Sequence, residues 1–207
     1  GDGLGLELLP GEDHILGVYQ ALIEARVPFE MVHDGLLDAG AISRFKALVL
    51  PNVAALSEAQ CAQLRGYVRN GGSLVATFET SLYDEHGARR ANFGLADLFG
   101  VRFQGKIETR MQNSNLRLEH ATKHPVLRGM EDAGRIINGV QRVQVEPAEP
   151  FPDPPVTLVP SYPDLPMEEV YPRTPKTDIP ELYLRDRGTA RIAYFPWDID
   201  RTFWEVL

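Results

Sequence analysis

The sequence predicts an α/β fold: a doubly wound parallel sheet with a proline-rich, strand-containing second half. Three observations lead there. Segments of helical and of strand patterning alternate over the first hundred residues. Two strand-length runs, Ala47–Leu50 and Leu74–Phe78, are almost wholly apolar, as suits strands buried on both faces of a parallel sheet. Eleven of the sixteen prolines fall between Pro147 and Pro180, which excludes regular helix there, because an internal proline removes a donor and clashes with the preceding turn.

The elements follow in chain order. From Asp13 to Ala25, Ile15, Tyr19, Leu22 and Ile23 share one helical face. Pro28 ends that helix, and Phe29–His33 alternates like a strand. Ala47–Leu50 is the next strand. Ser57 and Gln60 form a capping box that opens a helix running to about Arg69, and Asn70-Gly71-Gly72 stops it. After the strand Leu74–Phe78, Asn92 caps a short helix with Leu95, Leu98 and Phe99 on one face and Gly100 at its end. Right-handed crossovers then place the strands side by side with helices on both faces. In the second half, Asn115–Glu119, Val143–Glu146, Val156–Val159 and Arg191–Phe195 read as strands. Residues 147–180 form an arm expected to make contacts.

Composition narrows the function. The chain has 207 residues and a net charge of −8. Arg89-Arg90 is its one adjacent basic pair, so nucleic acid and anionic membranes lack an electrostatic footprint. No apolar run approaches the roughly 20 residues of a membrane span. The single cysteine, Cys61, cannot form an internal disulfide, and no signal peptide opens the chain; a cytoplasmic location is expected.

The candidate chemistry is sparse. Cys61 sits mid-helix with Leu64 and Val68 on the apolar face, which reads as a core thiol, not an activated one. A nucleophile in such a fold belongs on the turn after a central strand; here that turn is Phe78-Glu79-Thr80-Ser81, with Ser81 its one candidate. His120 and His124 are four apart, but Pro125 disfavours a helix there, so neither a metal site nor a cofactor is expected. The densest cluster is Trp197, Asp198, Asp200, Arg201 and Trp204. Aromatic faces beside carboxylates suit sugar binding if the segment is extended; packed tryptophans with the carboxylates capping a following helix are the plainer reading.

Several segments together resemble one family. Asp13-His14 with Gly17 and Tyr19-Gln20-Ala21-Leu22, Pro28 to Val32, Leu48 to Asn52, Gly71 to Thr77, Phe93 to Val101, Asn113 to Leu118 and Tyr194 to Trp204 match it in order. The family is that of bacterial glycosyl hydrolases whose post-barrel domain is similar to the beta-galactosidase trimerisation domain. The resemblance implies a class I glutamine-amidotransferase-like, flavodoxin-like fold over residues 1–207 as a single domain, truncated at both ends, with no catalytic residue. It also implies a catalytic barrel outside the chain and a homo-oligomer of two or three copies. The alternatives are a carbohydrate-binding module using Trp197 and Trp204, or a stand-alone amidotransferase-like hydrolase. Met167, Val170 and Tyr171 are the expected apolar anchors of the arm at a subunit or barrel interface.

Overall fold

A computed structural model describes residues 11–33, 35, 37, 39–163, 166 and 174–206. The weak strand pattern at Leu6–Leu9 and the anchors Met167, Val170 and Tyr171 lie outside the described residues.

Helix α1 spans Glu12–Glu24, with Glu12 and Asp13 in the first turn, where carboxylates suit the helix dipole. It buries His14 and Gly17. Of the residues on its apolar face, Ile15, Tyr19 and Ile23 remain 41–46% exposed. Phe29–His33 is not a strand. A strand exists only through ladder partners, and this segment makes other contacts. The Phe29 ring meets Tyr19 edge-on at 5.3 Å, Glu30 pairs with Arg44, and Val32 leans on the main core.

A short helix α2 (Ala39–Ile42) leads to β1 (Ala47–Leu50), then to α3 (Glu58–Arg69) and β2 (Ser73–Thr77). The α3 capping box is complete: Gln60 N–H donates to Ser57 Oγ, and Ser57 N–H donates to Gln60 Oε1. Gly71, at φ 95°, takes the left-handed conformation that ends the helix. Helix α4 is shorter than its pattern suggested (Ala96–Phe99) and closes on Gly100 at φ 69°. Asn92 caps nothing there; its Oδ1 accepts from the N–H groups of Phe93 and Phe103.

Among the described residues the remaining strands are β3 (Val101–Glu108), β4 (Asn115–Leu118), β5 (Arg135–Ile137), β6 (Arg142–Pro147), β7 (Val156–Val159), β8 (Tyr183–Arg187) and β9 (Ala190–Phe195). Helix α5 (Ile199–Glu205) follows. The main sheet has the order β1-β2-β9-β8. Its first three strands are parallel, and β8 joins β9 as an antiparallel hairpin. Two antiparallel sheets, β3-β6 and β5-β4-β7, hold the other strands. The architecture is therefore mixed α/β; the purely parallel sheet expected from the first half is corrected by these partners.

Both faces of the main sheet are covered. Leu48, Leu50, Leu74, Ala76, Ile192 and Tyr194 point to one face and join Cys61, Leu64 and Val68 of α3 and Phe99 of α4 in the larger core. The Phe99 and Tyr194 rings stack at 4.4 Å. On the other face, Ala193 and Phe195 pack with Ile199 of α5 against a second core of Leu116, Leu158, Leu182 and Trp197. That core belongs to the β5-β4-β7 sheet, so the main sheet and the second half are joined through it.

Candidate functional site

The place to look for chemistry is where the parallel strands end. The turns after β1 and β2 interlock there. Asn52 N–H donates to Thr77 Oγ1 at 2.8 Å, and Glu79 N–H donates back to Asn52 Oδ1. Phe78 N–H donates to the Phe195 carbonyl, while Tyr194 O–H donates to the Phe78 carbonyl at 2.7 Å. This over-determination holds Asn52, Phe78 and Ser81 at φ 45°, 48° and 66°. Left-handed backbone in such residues costs on the order of 1–3 kcal/mol each and persists only when the surroundings fix it.

Two helices deliver polar groups to these turns. His14 of α1 meets Asp200 of α5 at 2.7 Å between Nδ1 and Oδ1, and Thr77 O–H donates to Asp200 Oδ2 at 2.6 Å. The imidazole stacks on Phe78, with centroids 6.0 Å apart. Burial pulls the His14 pKa down, but the hydrogen bond and charge of Asp200, helped by Asp13 and Asp198, hold it above its ordinary value. Burial pushes Glu79 up, against the hydroxyl that Tyr83 donates to it. Burial also pushes Asp198 up to about 6, although Gln141 N–H donates to it.

An oriented His–Asp pair is half of a nucleophile-activating device. The other half is missing from this turn. The imidazole faces a phenyl ring. Ser81 is fully buried, and its Oγ accepts the N–H of Leu95. Cys61 lies in the larger core, and burial raises its thiol pKa, so it is not a thiolate. What the cluster does physically is clamp α1 and α5 to the end of β2.

A second polar network centres on Arg142. Arg142 of β6 pairs with Glu108 of β3 at 3.0 Å and also with Glu181, which is fully buried. Gln144 donates to Glu108, and Trp197 Nε1–H donates to the Glu181 carbonyl. One guanidinium serves two carboxylates. Glu108 has the lower pKa of the two: burial raises it, but the hydrogen bonds from Gln144 and Arg142 more than offset that. Burial outweighs Arg142 at Glu181 and pushes it up to about 7.

His14, Asp198 and Glu181 are thus all raised. A raised group contributes stability that is present below its unfolded pKa and lost as pH rises through its folded value. Stability should therefore fall between pH 5 and pH 8. Glu181→Gln removes the largest part of this dependence, a difference of about 3 kcal/mol. Urea unfolding of both proteins at pH 5 and pH 8 checks it: the variant should gain at pH 8 and not at pH 5.

The C-terminal cluster runs into a helix and is not an extended segment. Asp198 is the N-cap residue of α5 and Asp200 lies in its first turn. Trp197 is 3% exposed and packs edge-on to Phe195, so its faces are closed to a sugar. Arg201 pairs with Asp13 and Glu205. Trp204 is partly exposed. His120 and His124 spend ring nitrogens on main chain, at the Ala133 carbonyl and the Val126 N–H. A surface hollow lined by Phe45, Lys46, Tyr67 and Asn70 sits at the opposite, N-terminal end of β1 and β2. Sequence reading missed the roles of His14, Thr77 and Glu181. His14 and Asp200 are 186 residues apart, so no spacing links them.

The comparison with protein families decides what this arrangement belongs to. The model for the beta-galactosidase trimerisation domain matches residues 7–137. The chain belongs to this family. No curated protein sequence gives this trimerisation-domain chain a significant match. Solved structures do match it. A beta-galactosidase from Bacillus circulans sp. alkalophilus gives a TM-score of 0.70 at 15% identity, over 100% of this chain and 27% of that one. Gan42B, a GH42 beta-galactosidase from G. stearothermophilus, gives 0.66 at 17%, again over 100% and 27%. Alpha-L-fucosidase isoenzyme 2 from Paenibacillus thiaminolyticus gives 0.63 at 14%, over 93% and 26%. At these identities the likeness is one of fold. The trimerisation-domain chain spans about a quarter of the length of each of these proteins.

Proposed function

We propose that this chain is the non-catalytic accessory and oligomerisation domain of a glycoside hydrolase whose catalytic barrel lies outside it. One observation carries the reading. At the strand-end turn, where an α/β hydrolase presents its nucleophile, this chain has Phe78 and an inward-facing Ser81, and its His14–Asp200 pair is closed onto Thr77. The parallel run β1-β2-β9, covered on both faces, and the strained turn after β2 favour the finer description of an amidotransferase-like, flavodoxin-like sheet. On this reading residues 1–207 are one domain and residues 147–180 its contact arm. Its partners are further copies of itself and the barrel. A fold that accompanies both beta-galactosidases and a fucosidase leaves the choice of sugar to the barrel.

The test is turnover by the purified chain. Nitrophenyl β-galactoside and glutamine should both remain uncleaved. Cys61→Ala should leave that result unchanged and cost stability only, about 1 kcal/mol for a small buried side chain. Robust hydrolysis abolished by a Cys61 or Ser81 substitution would contradict the proposal.

A further inference from the structure

The chain between β4 and β5 makes two single-turn 3-10 helices, His120–Thr122 and Pro125–Leu127. Residues of both turns and of the loop after them line a surface hollow of about 410 Å³, large enough for a small ligand. The turns are held firmly. Leu127 is buried in the second core, His120 Nε2–H donates to the Ala133 carbonyl, and His124 N–H donates to Thr122 Oγ1.

The charged groups on the hollow are Lys123, Arg128 and Glu131, beside the rings of His120 and His124. Elsewhere guanidinium groups find carboxylates, as Arg65 does at Asp97 and Arg102 at Glu146. Here a carboxylate is at hand, but Glu131 Oε1 accepts the N–H of Gly129 at 2.9 Å and pairs with neither cation. Among the described residues, Lys123 and Arg128 hold no carboxylate. Lys123 also sits at φ 52°, where glycine would be relaxed and lysine is strained. A long cation is kept there at a conformational cost. His124 adds a neutral donor. Its Nδ1 accepts the N–H of Val126 at 3.2 Å, which fixes the ring proton on Nε2. That Nε2–H has no acceptor among the described residues.

Three unpartnered donors, two of them cations, thus line one hollow in a chain of net charge −8. They call for an anion. A carboxylate offers two oxygens, whereas a phosphate or sulfate group offers three even as an ester, which matches the three donors.

We propose that this hollow is an oxyanion site, which takes a phosphate or sulfate group on Lys123, His124 and Arg128. The group arrives as the free ion or as an ester on a sugar. The inference stands apart from the oligomerisation reading.

Titration calorimetry of the purified chain tests it, with inorganic phosphate, sulfate, a hexose phosphate and the free hexose as probes. Phosphate and sulfate should bind with a Kd on the order of 1 mM, and chloride at matched ionic strength should not. Arg128→Gln and His124→Asn should each weaken phosphate binding about fivefold or more. The asparagine still offers an oxygen to the Val126 N–H, so the turn is kept. Lys123→Gly should weaken binding as much without lowering the unfolding midpoint, because glycine relaxes the φ 52° backbone. Tighter binding of the hexose phosphate than of phosphate assigns the ester as the ligand; equal or weaker binding assigns the free ion. No binding at about 20 mM phosphate, chloride binding equal to phosphate, or phosphate binding unmoved by all three variants overturns the site.

Discussion

Gly17→Ala should release α1 from the rest of the molecule. A β-carbon at position 17 would fall 1.8 Å from the backbone carbonyl oxygen of Asp200. Backbone cannot swing aside as a long side chain can, so the two helices must separate. Separation removes the 2.7 Å His14–Asp200 contact and frees the Thr77 hydroxyl from its partner. Overpacking of this kind costs about 3 kcal/mol or more. The loss should be local at first, because His14 and Gly17 are the buried residues of α1. Amide exchange should show α1 unprotected while β2 and β9 keep their protection. Gly66 is the control. It lies inside α3, and its nearest neighbour to an added β-carbon is the end of the Arg69 side chain at 4.0 Å. Gly66→Ala should stabilise by about 0.5–1 kcal/mol.

The second large effect is expected at Arg142. Arg142→Met keeps the bulk of the side chain and removes the one cation shared by Glu108 and Glu181. Breaking a buried ion pair from one side costs about 3–5 kcal/mol, because the remaining charge has no compensation. Glu181 can escape part of that cost by holding its proton. The penalty should therefore be smaller at pH 5 than at pH 8. Adding Glu181→Gln to Arg142→Met should recover much of the loss at pH 8. Denaturant midpoints of the three proteins at the two pH values decide this; a penalty independent of pH would contradict the account of Glu181.

The sequence showed local features best. The Ser57–Gln60 capping box is a contact between neighbours in the chain, and both its hydrogen bonds form. Ala47–Leu50 and Ser73–Thr77 are strands because a largely apolar run has one economical place, the middle of a covered sheet. Val156–Val159 and Ala190–Phe195 were readable for similar reasons of pattern. Phe29–His33 misled, because alternation describes a strand's faces and says nothing about whether a neighbour exists to pair with it. The α1 row shows a related limit: periodicity identifies an apolar face without saying what covers it. β8 was hidden because Tyr183-Leu184-Arg185-Asp186-Arg187 loses its alternation where the polar end of the hairpin leaves the core. The clamp at the strand ends was hidden because its members come from α1, β2 and α5. Only the fold brings His14, Thr77 and Asp200 together.

On the proposed function this chain contributes assembly and not chemistry. Its mass in solution tests that most directly. Sedimentation equilibrium of the purified chain at micromolar to submillimolar concentration should report a multiple of 23.1 kDa that dissociates on dilution. A mass fixed at 23.1 kDa across the whole range would contradict it.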